Sequence, residues 1–448
     1  MDESLQMLSD FAASTRFDDL PPDVVRRATE IFVDSLACAV GGRDCRSAQI
    51  SSDYPSAPQS QHEGYVIGHG PIAAPDLAAF WNTAMVRYLD YNDLTSAGHP
   101  SDMVGALAAV APTVGASGKD LITAQVIAYE VFVRLADKVL LENPSIDQGY
   151  AISVAATAGV CHLLGADADQ TKHAMSIAAT SGVPLRANRS GELSDYKGVA
   201  TAVSVRDAVF FAYLGKGGLT GPSDPFEGRH GIMELVEGEA APLDLEDFSQ
   251  WRSVEACIKY FPMAYNMQPS VWTALELRKS IQPEQLAKAS LHVAPFSWHE
   301  SGSEPEKWDP HTRETADHSV PYVFTRALRY GTIDNDSYEL AAIREPATLE
   351  LMQKVEVFPD WDMGSISPTV IGARLEALDT DGQTHEVRID KPRGHFENPM
   401  TRDEITDKAV RLVEPALGDA VDDAISTAWD VVDHDAVTVL DAFRFAGS

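Results

Sequence analysis

The residues best equipped for chemistry fall in a few short polar stretches. The first is Asp90-Tyr-Asn-Asp-Leu-Thr-Ser-Ala-Gly-His99-Pro-Ser-Asp102, which sets carboxylates, an amide, hydroxyls and an imidazole between apolar segments. Pro100 suits the first turn of a helix, with Ser101 as an alternative cap. His99 then sits at a helix N-terminus, where unpaired N–H groups favour an anion. An imidazole with an orienting carboxylate nearby is equipped for proton transfer. The competing reading is a polar loop that only caps the helix.

The second stretch runs Asn188-Arg-Ser-Gly-Glu-Leu-Ser-Asp-Tyr-Lys197-Gly198, directly before an Ala/Val-rich helix. A cation is electrostatically misplaced at a helix start, so Lys197 reads as an anion binder or as a lysine with a lowered pKa. The third, Lys259-Tyr-Phe-Pro262 with Asn266 and Gln268, repeats the order of lysine, turn and helix start. The fourth is Asp317-His-Ser-Val-Pro-Tyr322, where His318 and Tyr322 equally suit capping and packing. If these helix entrances converge, they form a positive pocket suited to a di- or tricarboxylate. A fifth stretch, Leu219 to Gly231, carries Arg229 and His230 but lacks the residue order of a phosphate loop and reads as a structural turn. Dinucleotide-binding, zinc-protease, hydrolase-elbow and iron–sulfur motifs are absent.

Mostly helices must position these stretches. Pro21-Pro22 opens one with an apolar stripe through Val25, Ala28, Phe32, Leu36 and Val40, and Gly41-Gly42 stops it. Runs 101–114, 122–141, 152–164 and 198–214 are apolar on most faces and read as buried helices. Beyond Pro269 the texture changes. Residues 287–293 and 354–358 are β-prone, and 374–378 and 385–389 flank the hairpin signal Asp381-Gly382. Thr401 with Glu404 marks the start of an acidic helical tail that can pack back on the first domain.

Lys and Arg total 35 against 67 Asp and Glu, a net charge of -32 in 448 residues. This disfavours nucleic acid and anionic membranes as partners. No apolar run approaches the roughly 20 residues of a membrane span. The N-terminus has no basic region before an apolar run, so no signal peptide is expected. Cys38, Cys45, Cys161 and Cys257 are scattered and lack metal-site spacing, which fits free thiols in a cytoplasmic protein.

The ordered set Arg87-Tyr-Leu-Asp-Tyr-Asn-Asp93, Gly98-His-Pro-Ser-Asp102, Tyr196-Lys-Gly198, Leu219-Thr-Gly-Pro222, Phe226-Glu-Gly228, Lys259-Tyr-Phe-Pro262, Glu314 to Tyr322 and Asn398-Pro-Met-Thr401 resembles the MmgE/PrpD family over nearly the whole chain. That family includes 2-methylcitrate dehydratase, cis-aconitate decarboxylase and iminodisuccinate epimerase. The resemblance implies a mainly α fold: a large all-α domain holding both chain ends (1–266 and 398–448) with an inserted α/β lid domain (267–397). It also implies a homodimer, a small polycarboxylate substrate, and no metal or organic cofactor. The implied catalytic residues are Asp90, His99, Lys197, Lys259 and Tyr322, with Asp93, Thr95, Arg189, Gln268 and His318 as substrate-binding candidates.

Some positions depart from the family pattern. A threonine of the decarboxylase branch falls at Leu94, its histidine falls near Ile146, Asp147 and Gln148, and a histidine of the dehydratase branch falls near Asn266. The Gly-His-Pro-Ser-Asp and Asp-His-Ser-Val-Pro-Tyr strings are closer to the dehydratase branch. The expected activity is a cofactor-independent hydro-lyase resembling 2-methylcitrate dehydratase. His99, oriented by Asp90 or Asp93, is the expected base, and Tyr322 or a protonated lysine the acid. Lys197, Lys259 and Arg189 supply positive charge. An epimerase, a decarboxylase and a non-catalytic polycarboxylate-binding protein are the alternatives.

Overall fold

The computed structural model describes residues 2–52, 63–95, 98–189, 194–365 and 370–445. Two large hydrophobic cores organise them. The first is helical and is built largely from Pro22–Gly41, Pro75–Tyr88, Gly118–Leu135, Gly149–Leu163 and Ala200–Lys216. The same core takes in Ile405, Ala409, Leu412 and Val413 from the helix Arg402–Leu417, which packs against Pro22–Gly41. Thr401 caps that helix in a reciprocal box with Glu404, as the sequence predicts.

The run 101–114 is not one helix. Only Val104–Val110 is α-helical, between 3-10 turns at Pro100–Met103 and Ala111–Val114. Pro112, which cannot donate a backbone bond, accounts for the break after Val110. A small antiparallel hairpin of β1 (Gly64–Val66) and β2 (Gly70–Ala73) was not anticipated; its strands are too short to show alternation.

The second core lies between residues 261 and 377 and holds a four-stranded sheet. Its strands are β3 (Leu286–Val293), β4 (Val355–Pro359), β5 (Ala373–Asp379) and β6 (Thr384–Ile389), in the order β4-β3-β5-β6. β3 pairs parallel with β4, and β5 pairs antiparallel with both β3 and β6. Ala373, Leu375 and Ala377 alternate inward along β5. Gly382 supplies the left-handed residue of the β5–β6 turn, at φ 82°. Helices Gln268–Arg278 and Val320–Tyr330 complete this core.

A third, small cluster of Leu94, Cys257, Tyr265, Ala294 and Ile371 joins segments from both sides. All four cysteines are buried and free. Among the described residues, no helix is long and apolar enough to cross a membrane.

Candidate active site

Asp90 is the centre of the site. Helix Pro75–Tyr88 ends just before it, and its backbone turns left-handed, at φ 47°. Aspartate tolerates that conformation better than most residues, and the position suits the exit of a helix. The turn points the carboxylate inward, where it is 3% exposed.

Arg87, one helical turn earlier, hydrogen-bonds Oδ1 through Nη1. Lys259 Nζ donates to the same oxygen at 2.8 Å and to the Asp90 carbonyl at 2.9 Å. Lys197 Nζ lies 3.5 Å and His318 Nε2 3.7 Å from Oδ2. Burial opposes ionisation of Asp90, but Lys197, Lys259 and Arg87 outweigh it and hold the carboxyl well below its usual range. Burial conversely brings the Lys259 ammonium down to about 8, with Asp90 opposing and Arg87 adding to the fall. Lys197 is lowered by burial in the same way, against the pull of Asp90 and Asp317.

His99 caps the turn Pro100–Met103 from the outside. Its backbone N–H donates to Gln148 Oε1 at 2.6 Å, and its Nδ1 lies 2.6 Å from the Asp93 carbonyl oxygen. A carbonyl only accepts, so Nδ1 carries the hydrogen and Nε2 keeps its lone pair. Burial, reinforced by Arg87 and Lys259, pushes the imidazole well below its ordinary value, so it is neutral at pH 7. The orienting group is therefore a backbone carbonyl and not a carboxylate of Asp90 or Asp93. The Asp93 carboxylate instead accepts from Tyr129 at 2.7 Å and from the Ser101 N–H at 3.1 Å. Burial raises it to about 7.

His318 comes from the second core, just before helix Val320–Tyr330. Its Nδ1 lies 2.5 Å from Asp317 Oδ1, and its pKa is lowered by burial and by Lys197. Potential ligand atoms of Asp90, Asp317 and His318 lie within 4.8 Å of one another. Arg87, Lys197 and Lys259 already surround Asp90, so this set is electrostatically hostile to a cation.

Asp93, an expected substrate-binding residue, is thus committed to internal partners and is not among the cleft-lining residues, and three more expected site residues serve other purposes. The Tyr322 hydroxyl donates to the Ser337 carbonyl inside the second core, and Tyr322 is not among the cleft-lining residues. It stands on the face of its helix that packs inward. Gln268 staples the chain around Phe261, donating to its carbonyl at 2.9 Å and accepting from its N–H at 3.3 Å. Thr95 exchanges backbone bonds with Gly98, both at 3.0 Å, and closes the loop before His99. Ser96 and Ala97 of that loop, and residues 190–193 of the Lys197 motif, lie outside the described residues.

Arg87, Asp90, His99, Arg189 and His318 all line one cleft of about 1040 Å³. That is at the upper end of the roughly 300–1,000 Å³ typical of small-molecule sites. Arg189 Nε donates to Asp147 Oδ2 at 2.6 Å, while its Nη2 is buried without a hydrogen-bond partner among the described residues. Arg186 reaches across to Glu300 at 3.3 Å. Leu140, Leu141, Ile146, Leu185 and Phe296 form an apolar flank.

The working contacts of Arg87, Asp317, Asp147 and Gln148 were not assigned from sequence. Arg87 and Asp317 lie inside the motifs already singled out, so their ionic type beside Asp90 and His318 was the available signal. Gln148 stands where a histidine was missed and holds His99 through its main chain.

Residues 6–243 match the MmgE/PrpD N-terminal domain, and residues 261–432 match the MmgE/PrpD C-terminal domain. Alkylcitrate dehydratase phiI of Fungal sp. (strain ATCC 74256) is 27% identical, over 92% of this chain and 88% of that protein. The cis-aconitate decarboxylase-like protein oryM of Aspergillus oryzae is 25% identical, over 92% and 90% of the two chains. The 2-methylcitrate dehydratase of Escherichia coli K12 is 26% identical, over 72% and 71%.

Proposed function

The chain belongs to the MmgE/PrpD family, and on that premise we propose that it is a hydro-lyase removing water from a hydroxy-polycarboxylate of the 2-methylcitrate type. The observation that carries this reading is a neutral His99, with its Nδ1–H committed to Asp93, lining the same cleft as Asp90, Arg189 and His318.

In this mechanism Arg189, which lines the cleft, holds one substrate carboxylate. Arg87 lines the same cleft and adds positive charge. His99 Nε2 takes a proton from the carbon beside a carboxylate, and negative charge builds on that carboxylate. Fixed cations stabilise this charge better than water does, because they need not reorganise. The bond to the hydroxyl carbon then breaks, and the hydroxyl leaves as water with a proton from the other side of the cleft. His318, which lines the cleft with Asp317 behind it, supports that role, and Lys197, buried and outside the lining, adds positive charge 3.5 Å from Asp90 Oδ2. Lys259 sits behind Asp90 and keeps it ionised.

The apolar flank supports a substrate whose substituent is an alkyl group, in keeping with the two dehydratase relatives. The same proposal takes residues 267–397 as a lid over a helical body of 1–266 and 398–448, and takes the working form as a cytoplasmic homodimer.

The test is incubation of the purified protein in D₂O with 2-methylcitrate, citrate, longer 2-alkylcitrates, cis-aconitate and iminodisuccinate, followed by NMR. Loss of water from a citrate supports the reading. Release of CO₂, or deuterium exchange with inversion and no elimination, replaces it with decarboxylase or epimerase chemistry. Binding without turnover of any of them makes the protein a polycarboxylate binder.

A further inference from the structure

The mechanism leaves one buried lysine unused. Lys408, on helix Arg402–Leu417, is 1% exposed. Its Nζ lies 2.6 Å from Asp34 Oδ1, and it donates to the carbonyl of Tyr91 at 2.8 Å and to that of Lys259 at 3.0 Å. Two of the three ammonium donors go to these carbonyls, and Asp34 faces the same nitrogen as its ion-pair partner. The Nζ also stands 3.8 Å above the Tyr91 ring.

The two carbonyls belong to the segments that carry the Asp90–Lys259 pair. Both segments are irregular: neither Tyr91 nor Lys259 lies in a helix or a strand. A buried carbonyl needs a donor, and no sheet or helix ladder supplies one here. What ties the segments to each other is local. Leu94 and Cys257 exchange backbone bonds at 2.8 and 2.7 Å, and the Tyr91 hydroxyl donates to the Tyr260 carbonyl at 2.7 Å. Other distant bonds reach one segment each, from the Ile258 N–H to the Gly394 carbonyl at 3.0 Å and from the Tyr129 hydroxyl to Asp93 at 2.7 Å; Lys408 bonds both segments at once, and its partner Asp34 anchors it to helix Pro22–Gly41.

We infer that the Lys408–Asp34 pair is a positioning device that sets the Lys259 ammonium against Asp90 by pinning the carbonyls of Tyr91 and Lys259. Lys408 touches no substrate. It fixes the main chain from which Lys259 reaches 2.8 Å to Asp90, and so the charge state of the centre. The inference rests on the proposed role of Asp90 and Lys259, and its test has one arm that needs no substrate.

The perturbation is the double variant Asp34→Asn/Lys408→Met, which leaves no buried charge unpaired. Its crystal structure is expected to show Lys259 Nζ moved out of hydrogen-bond reach of Asp90. With a turned-over citrate, kcat is expected to fall on the order of 10²-fold, the scale of a 1 Å misplacement, while KM stays within threefold. The basic limb of the kcat profile is expected to shift, which a general loss of folded protein does not produce. If the double variant does not fold, Lys408→Arg replaces it with the same expectations. That variant keeps the charge opposite Asp34 but changes the geometry of the two donated bonds.

An unmoved Lys259 in the crystal overturns the inference, whether or not the wild type turns over any citrate. So does a kcat within threefold of wild type with an unshifted pH profile. A wild type inactive on every citrate, with Lys259 displaced in the variant, overturns the proposed reaction and leaves the positioning role standing.

Discussion

Replacing Lys259 by methionine separates what the site does for catalysis from what it does for stability. Burial brings this ammonium from 10.5 to about 8 in the folded chain, with Asp90 opposing the fall. At neutral pH the fold therefore carries a protonated group that the unfolded chain holds more comfortably. The difference is about 2.5 pH units, and at about 1.36 kcal/mol per unit it amounts to about 3 kcal/mol. The sign follows from proton counting. Between pH 8 and 10.5 the unfolded chain binds more protons at this lysine than the folded chain does, so stability rises with pH. Methionine fills similar volume and cannot titrate. The stability of the wild type minus that of Lys259→Met should therefore climb by about 3 kcal/mol between pH 7 and 10.5. Groups remote from Lys259 cancel in that difference, and Asp90 does so as long as Lys197 and Arg87 still hold it ionised once Lys259 is gone. Urea unfolding followed by circular dichroism at pH 7, 8, 9 and 10.5 measures it. Parallel stability curves for the two proteins would refute the reasoning, because they would mean that Lys259 keeps its solution pKa in the fold.

Three further outcomes follow from the geometry. His99→Asn should lower kcat by roughly 10²–10⁴-fold, the usual worth of a general base, with the acidic limb of the pH profile lost; a drop under tenfold in steady-state kinetics removes His99 from that role. Tyr322→Phe should leave kcat within about threefold and cost about 1 kcal/mol in a denaturant titration, because it loses one buried bond to the Ser337 carbonyl; a large kcat loss would return Tyr322 to the chemistry. Along a series of 2-alkylcitrates, kcat/KM should rise about fourfold per added methylene while the chain lies on the Leu140, Leu141, Ile146 and Leu185 flank, since a buried methylene contributes about 0.8 kcal/mol; a flat or falling series argues against that flank as the alkyl subsite.

The sequence made the helices and the polar helix entrances legible because periodicity and capping are local. Pro22, Gly41, Thr401 and Glu404 each announce a boundary within a few residues of it. Asp90, Lys197 and Lys259, which the structure brings together, stand out in sequence because charged groups beside apolar runs are conspicuous. Facing was harder to read. Tyr322 follows His318 by one helical turn, and only the packing of Val320–Tyr330 decides that its hydroxyl points into the second core. Gln268 reads as a polar group at a helix start near Lys259, yet its partner is the main chain seven residues back. Lys408 leaves a trace in the sequence. It stands in the apolar stripe with Ile405, Ala409 and Leu412, where a lysine must find a buried acid, and Asp34 lies too far away in sequence to be guessed.

The division of labour between the cores has a mechanical consequence. Arg87, Asp90 and His99 are set by the helical core, and Asp317 and His318 by the sheet-bearing one. Between them lie the Arg186–Glu300 contact and the small cluster around Leu94 and Ala294. On the proposed mechanism, a slide of one body along the other by the width of an atom parts the proposed proton acceptor from the proposed donor while every helix and strand survives. Turnover would then be a vernier for the seating of two bodies, and heat or denaturant should silence it while the spectroscopic signature of secondary structure is still whole.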